Sequence, residues 1–188
     1  MKRLLLYMVF LLSVMTLNAQ NDFEKVSIEI LPESELIIGG STNVNKFDCR
    51  FNIDHISKSM IVSFAQQEEC FIFNDFELQF LTEGFDCGNK RMNSDFQDLL
   101  VAEHYPEIMI SVDKVEFISA EYLKAFITVQ IAGKENNYEL PVQTGNSRFK
   151  GKFKMNIRDF GLEPPKKALG LIEVDEMIEV QFDLLTKI

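Results

Sequence analysis

Phe149-Lys150-Gly151-Lys152-Phe153-Lys154-Met155-Asn156-Ile157 places apolar or small residues at odd positions and polar ones at even positions. A helix would scatter these side chains around its axis, whereas a strand sends them to two opposite faces. The pattern predicts a strand with Phe149, Phe153, Met155 and Ile157 on a buried face and Lys150, Lys152 and Lys154 in water. Ile178, Val180, Phe182 and Leu184, separated by Glu179, Gln181 and Asp183, repeat it. Leu123, Ala125, Ile127, Val129 and Ile131 form a third face, and Phe76, Leu78 and Phe80 a fourth.

Shorter stretches follow the same period. Val26 to Ile30 leads in, followed by Leu36-Ile37-Ile38, and then Phe47, Cys49 and Phe51 alternate with Lys46, Asp48 and Arg50. Met60, Val62 and Phe64 precede a charged turn from Gln66 to Glu69. Ile108, Ile110 and Val112 follow Pro106, and Tyr138, Leu140 and Val142 follow the turn Gly133 to Asn137. Strands at near-regular spacing, with Gly, Asn and Asp between them, predict an all-β antiparallel barrel or sandwich. One segment breaks the period. Phe96, Leu99 and Leu100 share one helical face behind the candidate caps Asn93 and Ser94, which predicts one short α-helix over about residues 94–103 before Pro106. The absence of repeats or linkers points to one domain over residues 20–188.

The N-terminus is of another kind. Lys2-Arg3 precedes the apolar run Leu4 to Val14, broken by Ser13, and Leu17-Asn18-Ala19 follows. This is the order of a secretory signal peptide over residues 1–19. A run of about 11 residues is too short for a membrane-spanning helix, which needs about 20. The expectation is a periplasmic or secreted protein, soluble or peripherally attached, with at most transient membrane contact. Loss of Lys2 and Arg3 would take the formal charge from −10 to −12. Such a surface repels phosphate backbones, so no nucleic-acid partner is expected. The oligomeric state is open.

Export permits a disulfide, and Cys49, Cys70 and Cys87 allow one bridge with one thiol left over. Cys49 and Cys87 each end an apolar stretch and form the favoured pair; the alternative is three small buried thiols. The cysteine spacing fits no zinc pattern, and no metal or cofactor is expected. His55 lies in a polar turn and His104 near the helix end; neither belongs to a recognisable catalytic motif. No catalytic residue is assigned.

Phenylalanine is abundant, 17 residues against four tyrosines and no tryptophan. In the clearest strands it falls on the apolar face. An ordinary core explains that, yet an eight-stranded barrel is also just wide enough for one slim ligand. The faces that would line such a tunnel hold Phe47, Phe51, Phe76, Leu78, Phe80, Ile108, Ile110, Phe149, Phe153, Met155, Ile178, Val180 and Phe182. For an anionic head group the best local site is Lys90-Arg91, just before the predicted helix, where unpaired N–H groups and the helix dipole add to the two cations. Lys166-Lys167 is the second choice.

Several stretches together resemble the YceI-like family. They are Ser41-Thr42-Asn43-Val44; Cys87-Gly88-Asn89-Lys90-Arg91-Met92-Asn93-Ser94-Asp95-Phe96; His104-Tyr105-Pro106-Glu107-Ile108; and Phe153 to Leu162, followed by Ile178 to Phe182. The resemblance runs from about residue 36 to 184, though Cys49 and Cys87 lie outside the family's general pattern. It implies an exported, lipocalin-like, eight-stranded antiparallel barrel that binds a polyisoprenoid or other amphiphilic chain and is not an enzyme. The expected partner is an amphiphilic lipid or isoprenoid with an isoprenoid, fatty acyl or quinone-like chain. Two rivals stand: a solid-core exported interaction module without a small-molecule ligand, and a hydrolase or isomerase with an unrecognised site.

Overall fold

The computed structural model describes residues 23–56, 59–167 and 171–188, except the side chains of residues 166 and 167. The expected signal peptide lies outside the described residues, as do the side chains of Lys166 and Lys167. Strands are numbered in chain order. Eight of them close into a ring: β1 (Glu24–Ile30), β4 (Ser59–Gln67), β5 (Cys70–Asn74), β8 (Glu107–Phe117), β9 (Tyr122–Ile131), β10 (Lys134–Gly145), β11 (Arg148–Asn156) and β14 (Met177–Lys187), which returns to β1. All neighbours are antiparallel. The fold is the expected antiparallel barrel with one α-helix.

Two long strands change partner midway. The far edge of β14 pairs first with β2 (Glu35–Ser41), from Glu179/Gly39 to Asp183/Glu35, and then with β1 at Thr186/Ile30 and Lys187/Glu29. β8 pairs near its start with β6 (Glu77–Leu81) and near its end with β5. Past the switch, β2 leads on to β3 (Lys46–Phe51) and then to the two-residue β7 (Phe85–Asp86). The barrel thus has a β1–β4–β5 half and a second half walled by β2, β3, β6 and β7. A bulge between Val112 and Lys114 accompanies the β8 switch. It inserts one residue, so Val112 and Val115 both turn inward despite their odd separation.

The buried face follows the sequence period. In β11, Phe153 and Met155 pack inward while Lys150, Lys152 and Lys154 are exposed. The lysines meet acids across the strand: Lys150 sits 2.9 Å from Asp183 and Lys152 2.8 Å from Glu179. Burial opposes the Asp183 charge, but hydrogen bonds from Arg148 and Lys150 outweigh it and hold that carboxyl below its ordinary pKa. An outer face of ion pairs around an apolar interior is the inverse of a membrane-spanning barrel, whose lipid-facing band is apolar. Among the described residues no helix is long and apolar enough to cross a membrane.

Glycine is required where inward rings cross the sheet. Gly151 stands opposite Phe182, and a Cβ there would enter its ring; Gly40 stands opposite Phe47 with the same consequence. Each glycine is covered by an aromatic ring from the neighbouring strand.

The helix, α1 (Lys90–Leu99), begins and ends about four residues before the expected span of 94–103. Asn89, not Asn93 or Ser94, caps it, accepting from the Met92 N–H at 3.0 Å. Asn93 is engaged elsewhere: its Oδ1 accepts from the Cys87 N–H at 2.7 Å and its amide donates to Asp86 at 3.2 Å. At the other end Val101 adopts a left-handed φ of 56°, which stops the helix well before Pro106.

Cys49 on β3 is bonded to Cys87, which follows β7, and Cys70 is the free cysteine. The bridge fastens the root of α1 to the sheet edge and closes a loop with a sequence separation of 38. Replacing both cysteines by alanine is expected to cost about 4 kcal/mol in the chain-entropy model. Urea unfolding of the variant and of the reduced wild type checks this: both midpoints should drop together, and an unchanged midpoint would contradict it.

Candidate functional site

The interior of the second half holds a cavity between the sheet and α1. Its walls come from alternate positions of several strands. Ile38 on β2, Val180 on β14 and Phe153 on β11 form one row across the sheet. Ile178 and Met155 form the next, and Gly40 with Phe47 lies beyond. Phe80, Ile108, Ile110, Val129 and Ile131 make the facing wall.

Of the residues expected to line a tunnel, Phe47, Phe80, Ile108, Ile110, Phe153, Met155, Ile178 and Val180 line this cavity. Phe51, Phe76, Leu78, Phe149 and Phe182 do not; they pack into the core around it. The reason is the split barrel. Phe51 lies edge-on to Phe80 and against Phe85, with centroids 5.2 and 5.0 Å apart, and so supports the wall from behind. Phe76 is spent on Phe73, and Phe182 on covering Gly151. Residues not expected as lining join them, among them Leu36, Phe85, Val129, Ile131 and, from the helix and its C-cap, Phe96, Leu99 and Leu100. The i, i+3, i+4 spacing of those last three was the available signal for a lid.

The lid is held at both ends. Its root is tied by the Cys49–Cys87 bond and the Asp86–Asn93 hydrogen bond. After its end, Thr82 holds the Pro106 carbonyl with both its N–H, at 2.8 Å, and its hydroxyl, at 3.0 Å. Tyr105 lies against Gly133 in the β9–β10 turn. Between these tethers Phe96 meets Phe85 at 5.2 Å and forms the cavity roof.

About 60 Å³ of this interior is free. That is room for a few water molecules, and well below the roughly 300–1,000 Å³ of a pocket that engulfs a drug-sized ligand. Among the described residues Asp175 is the one ionisable side chain on the lining. It is exposed at the rim, and its carboxylate accepts from the Met177 N–H at 2.9 Å and the Ser41 hydroxyl at 3.4 Å. His55 and His104 are both exposed, far from the lining in character, and His55 stands edge-on to Phe51 at 6.4 Å. Among the described residues no group of three or more His, Cys, Asp or Glu could hold a metal ion.

Lys90 and Arg91 occupy the first turn of α1, not the segment before it, and both are exposed. No acidic residue shares that turn. Met92, Phe96 and Leu99, at i, i+4 and i+7, carry the inward stripe, which leaves Lys90 and Arg91 on its flanks.

Phe85, only 2 % exposed, joins the sheet edge to the lid through Phe51 and Phe96. Phe85→Ala is expected to destabilise by about 3–5 kcal/mol. Hydrogen exchange should then show α1 amides losing protection ahead of those of β9. Uniform loss across the barrel would contradict a coupling confined to the lid.

No curated protein matches the chain. Solved structures with the same architecture include BcnA of Burkholderia cenocepacia, at 16 % identity and TM-score 0.62 over 83 % of this chain and 97 % of that one. The YCEI protein of Campylobacter jejuni superposes at 17 % identity and TM-score 0.57, over 74 % of this chain and 84 % of its own. A polyisoprenoid binding domain of Saccharophagus degradans, implicated in plant cell wall breakdown, does so at 14 % identity and TM-score 0.54, over 85 % and 97 %. At such identities the likeness establishes the fold. The YceI-like domain model matches residues 33–185, from the turn before β2 almost to the end of β14, and the chain belongs to that family.

Proposed function

We propose that this protein is an exported, non-enzymatic binder of one long hydrophobic chain, of isoprenoid, fatty acyl or quinone-like type, held under the α1 lid. The observation that carries the reading is the apolar interior, whose one ionisable lining group among the described residues lies at the rim with its carboxylate engaged. The fold shared with a polyisoprenoid binding domain supports it. The N-terminal Lys2-Arg3 and apolar run support export with cleavage after Ala19.

Binding needs movement, because about 60 Å³ admits no such chain. Phe47, Phe96 and Phe153 must turn aside, and the middle of α1 must lift between its tethers. A chain that buries roughly 300 Å² gains on the order of 7 kcal/mol before ordering costs, so micromolar affinity, about 8 kcal/mol net, requires a longer buried stretch. Lys90 and Arg91, in a chain of formal charge −10, are the proposed contacts for an anionic head. The small free volume favours a second reading, a solid-core interaction module whose surface binds another exported protein.

Titration of delipidated protein with geranylgeraniol and geranylgeranyl diphosphate separates the two readings. Wild type should bind both at about micromolar concentration. The double variant Lys90→Gln/Arg91→Gln should weaken only the diphosphate, by roughly fivefold. Equal losses would remove the head-group role, and no binding of either ligand would leave the solid-core module.

A further inference from the structure

One seam of the barrel is unzipped. β10 follows β9 from Lys134/Ile131 to Gln143/Tyr122, and β11 follows β14 from Arg148/Leu185 to Asn156/Met177. Between β10 and β11 the ladder runs only from Gly145/Arg148 to Val142/Gly151. It stops beside Pro141, which has no N–H to donate. Lower down β10 is tied instead to the turn that follows β11, where the Asn136 side-chain amide donates to the Asp159 carbonyl at 2.9 Å.

Tyr138 stands between those two points. Its ring packs against the core and lies 5.6 Å from that of Phe153, which lines the cavity. Its hydroxyl is buried and has no hydrogen-bond partner, the one such side-chain atom among the described residues. Buried hydroxyls are almost always paired, and a buried tyrosine normally finds a partner for its O–H. Burial, helped by the Asp159 carboxylate, raises the pKa of this phenol, so it stays protonated as a donor.

We infer that Tyr138 is a specificity-determining residue, whose hydroxyl donates a hydrogen bond to an oxygen on the bound chain once Phe153 has moved. The barrel would then prefer long chains bearing a hydroxyl or carbonyl oxygen over hydrocarbons of equal length. This rests on the chain-binding reading above. The seam suits the role, because each unpaired edge turns alternate backbone N–H and C=O groups toward the same slot.

The test is Tyr138→Phe, which removes one oxygen and keeps the ring. Affinities for geranylgeraniol and for its parent hydrocarbon are measured by displacement of a fluorescent fatty-chain probe. The variant should lose about tenfold for the alcohol and nothing for the hydrocarbon, with an unchanged or higher melting temperature. An unchanged affinity for the alcohol, or equal losses for both ligands, would overturn the inference while chain binding stood. Wild type that binds neither ligand would overturn both.

Discussion

The structure depends on one strand edge with two successive partners. β14 gives its first half to β2 and its last residues to β1, and the chain must turn between those partners without leaving backbone groups unpaired. Ser34, only 4 % exposed, fills the gap. Its hydroxyl accepts from the Leu185 N–H at 2.9 Å and donates to the Leu185 carbonyl at 3.3 Å, while the Leu31 N–H reaches the same carbonyl at 2.9 Å. A side chain thus replaces a strand residue where the ladder would otherwise break. On the opposite wall β8 makes the matching switch, with the Val112 N–H donating to the Phe76 carbonyl at 2.9 Å beside the bulge.

From that split follow the position of the cavity and the need for a lid. The β1–β4–β5 half is closed by hydrogen bonds. In the other half β6 and β7 are joined only by the turn Thr82–Gly84, and side chains take over the closure: the Phe51, Phe80 and Phe85 rings, the Cys49–Cys87 bond and α1. A wall held by side chains can open at less cost than a continuous ladder, because no row of backbone hydrogen bonds has to break. The free space lies on that side.

Much of this was legible in the residues. Phe149 to Ile157 and Ile178 to Leu184 gave their inward and outward faces correctly because the period of a strand is local. β5 lacks the strand signature, since Phe71-Ile72-Phe73 is a continuous apolar run without alternation. The helix start is ambiguous in sequence because Asn89, Asn93 and Ser94 are all competent caps, and only the hydrogen bond that the Asn93 side chain accepts from the Cys87 N–H excludes the second. Which inward residues line the cavity was beyond local pattern. Phe51 and Phe153 look alike in sequence; the partner switches of β8 and β14 put one behind the wall and the other on it. Tyr138 shows in sequence only as one more apolar-face position; the isolation of its hydroxyl has no local signal, because it comes from Pro141 ending a ladder with a strand that starts seven residues later.

An interior that opens to hold a chain should keep that chain through purification. Mass spectrometry of the organic extract of natively purified protein tests it most directly. The extract should hold one dominant long-chain, oxygen-bearing amphiphile, near one molecule per protein and absent from an equal extract of a variant with Val129→Trp in the cavity wall. An extract with no enriched lipid, or with the same mixed lipids in both proteins, would contradict it.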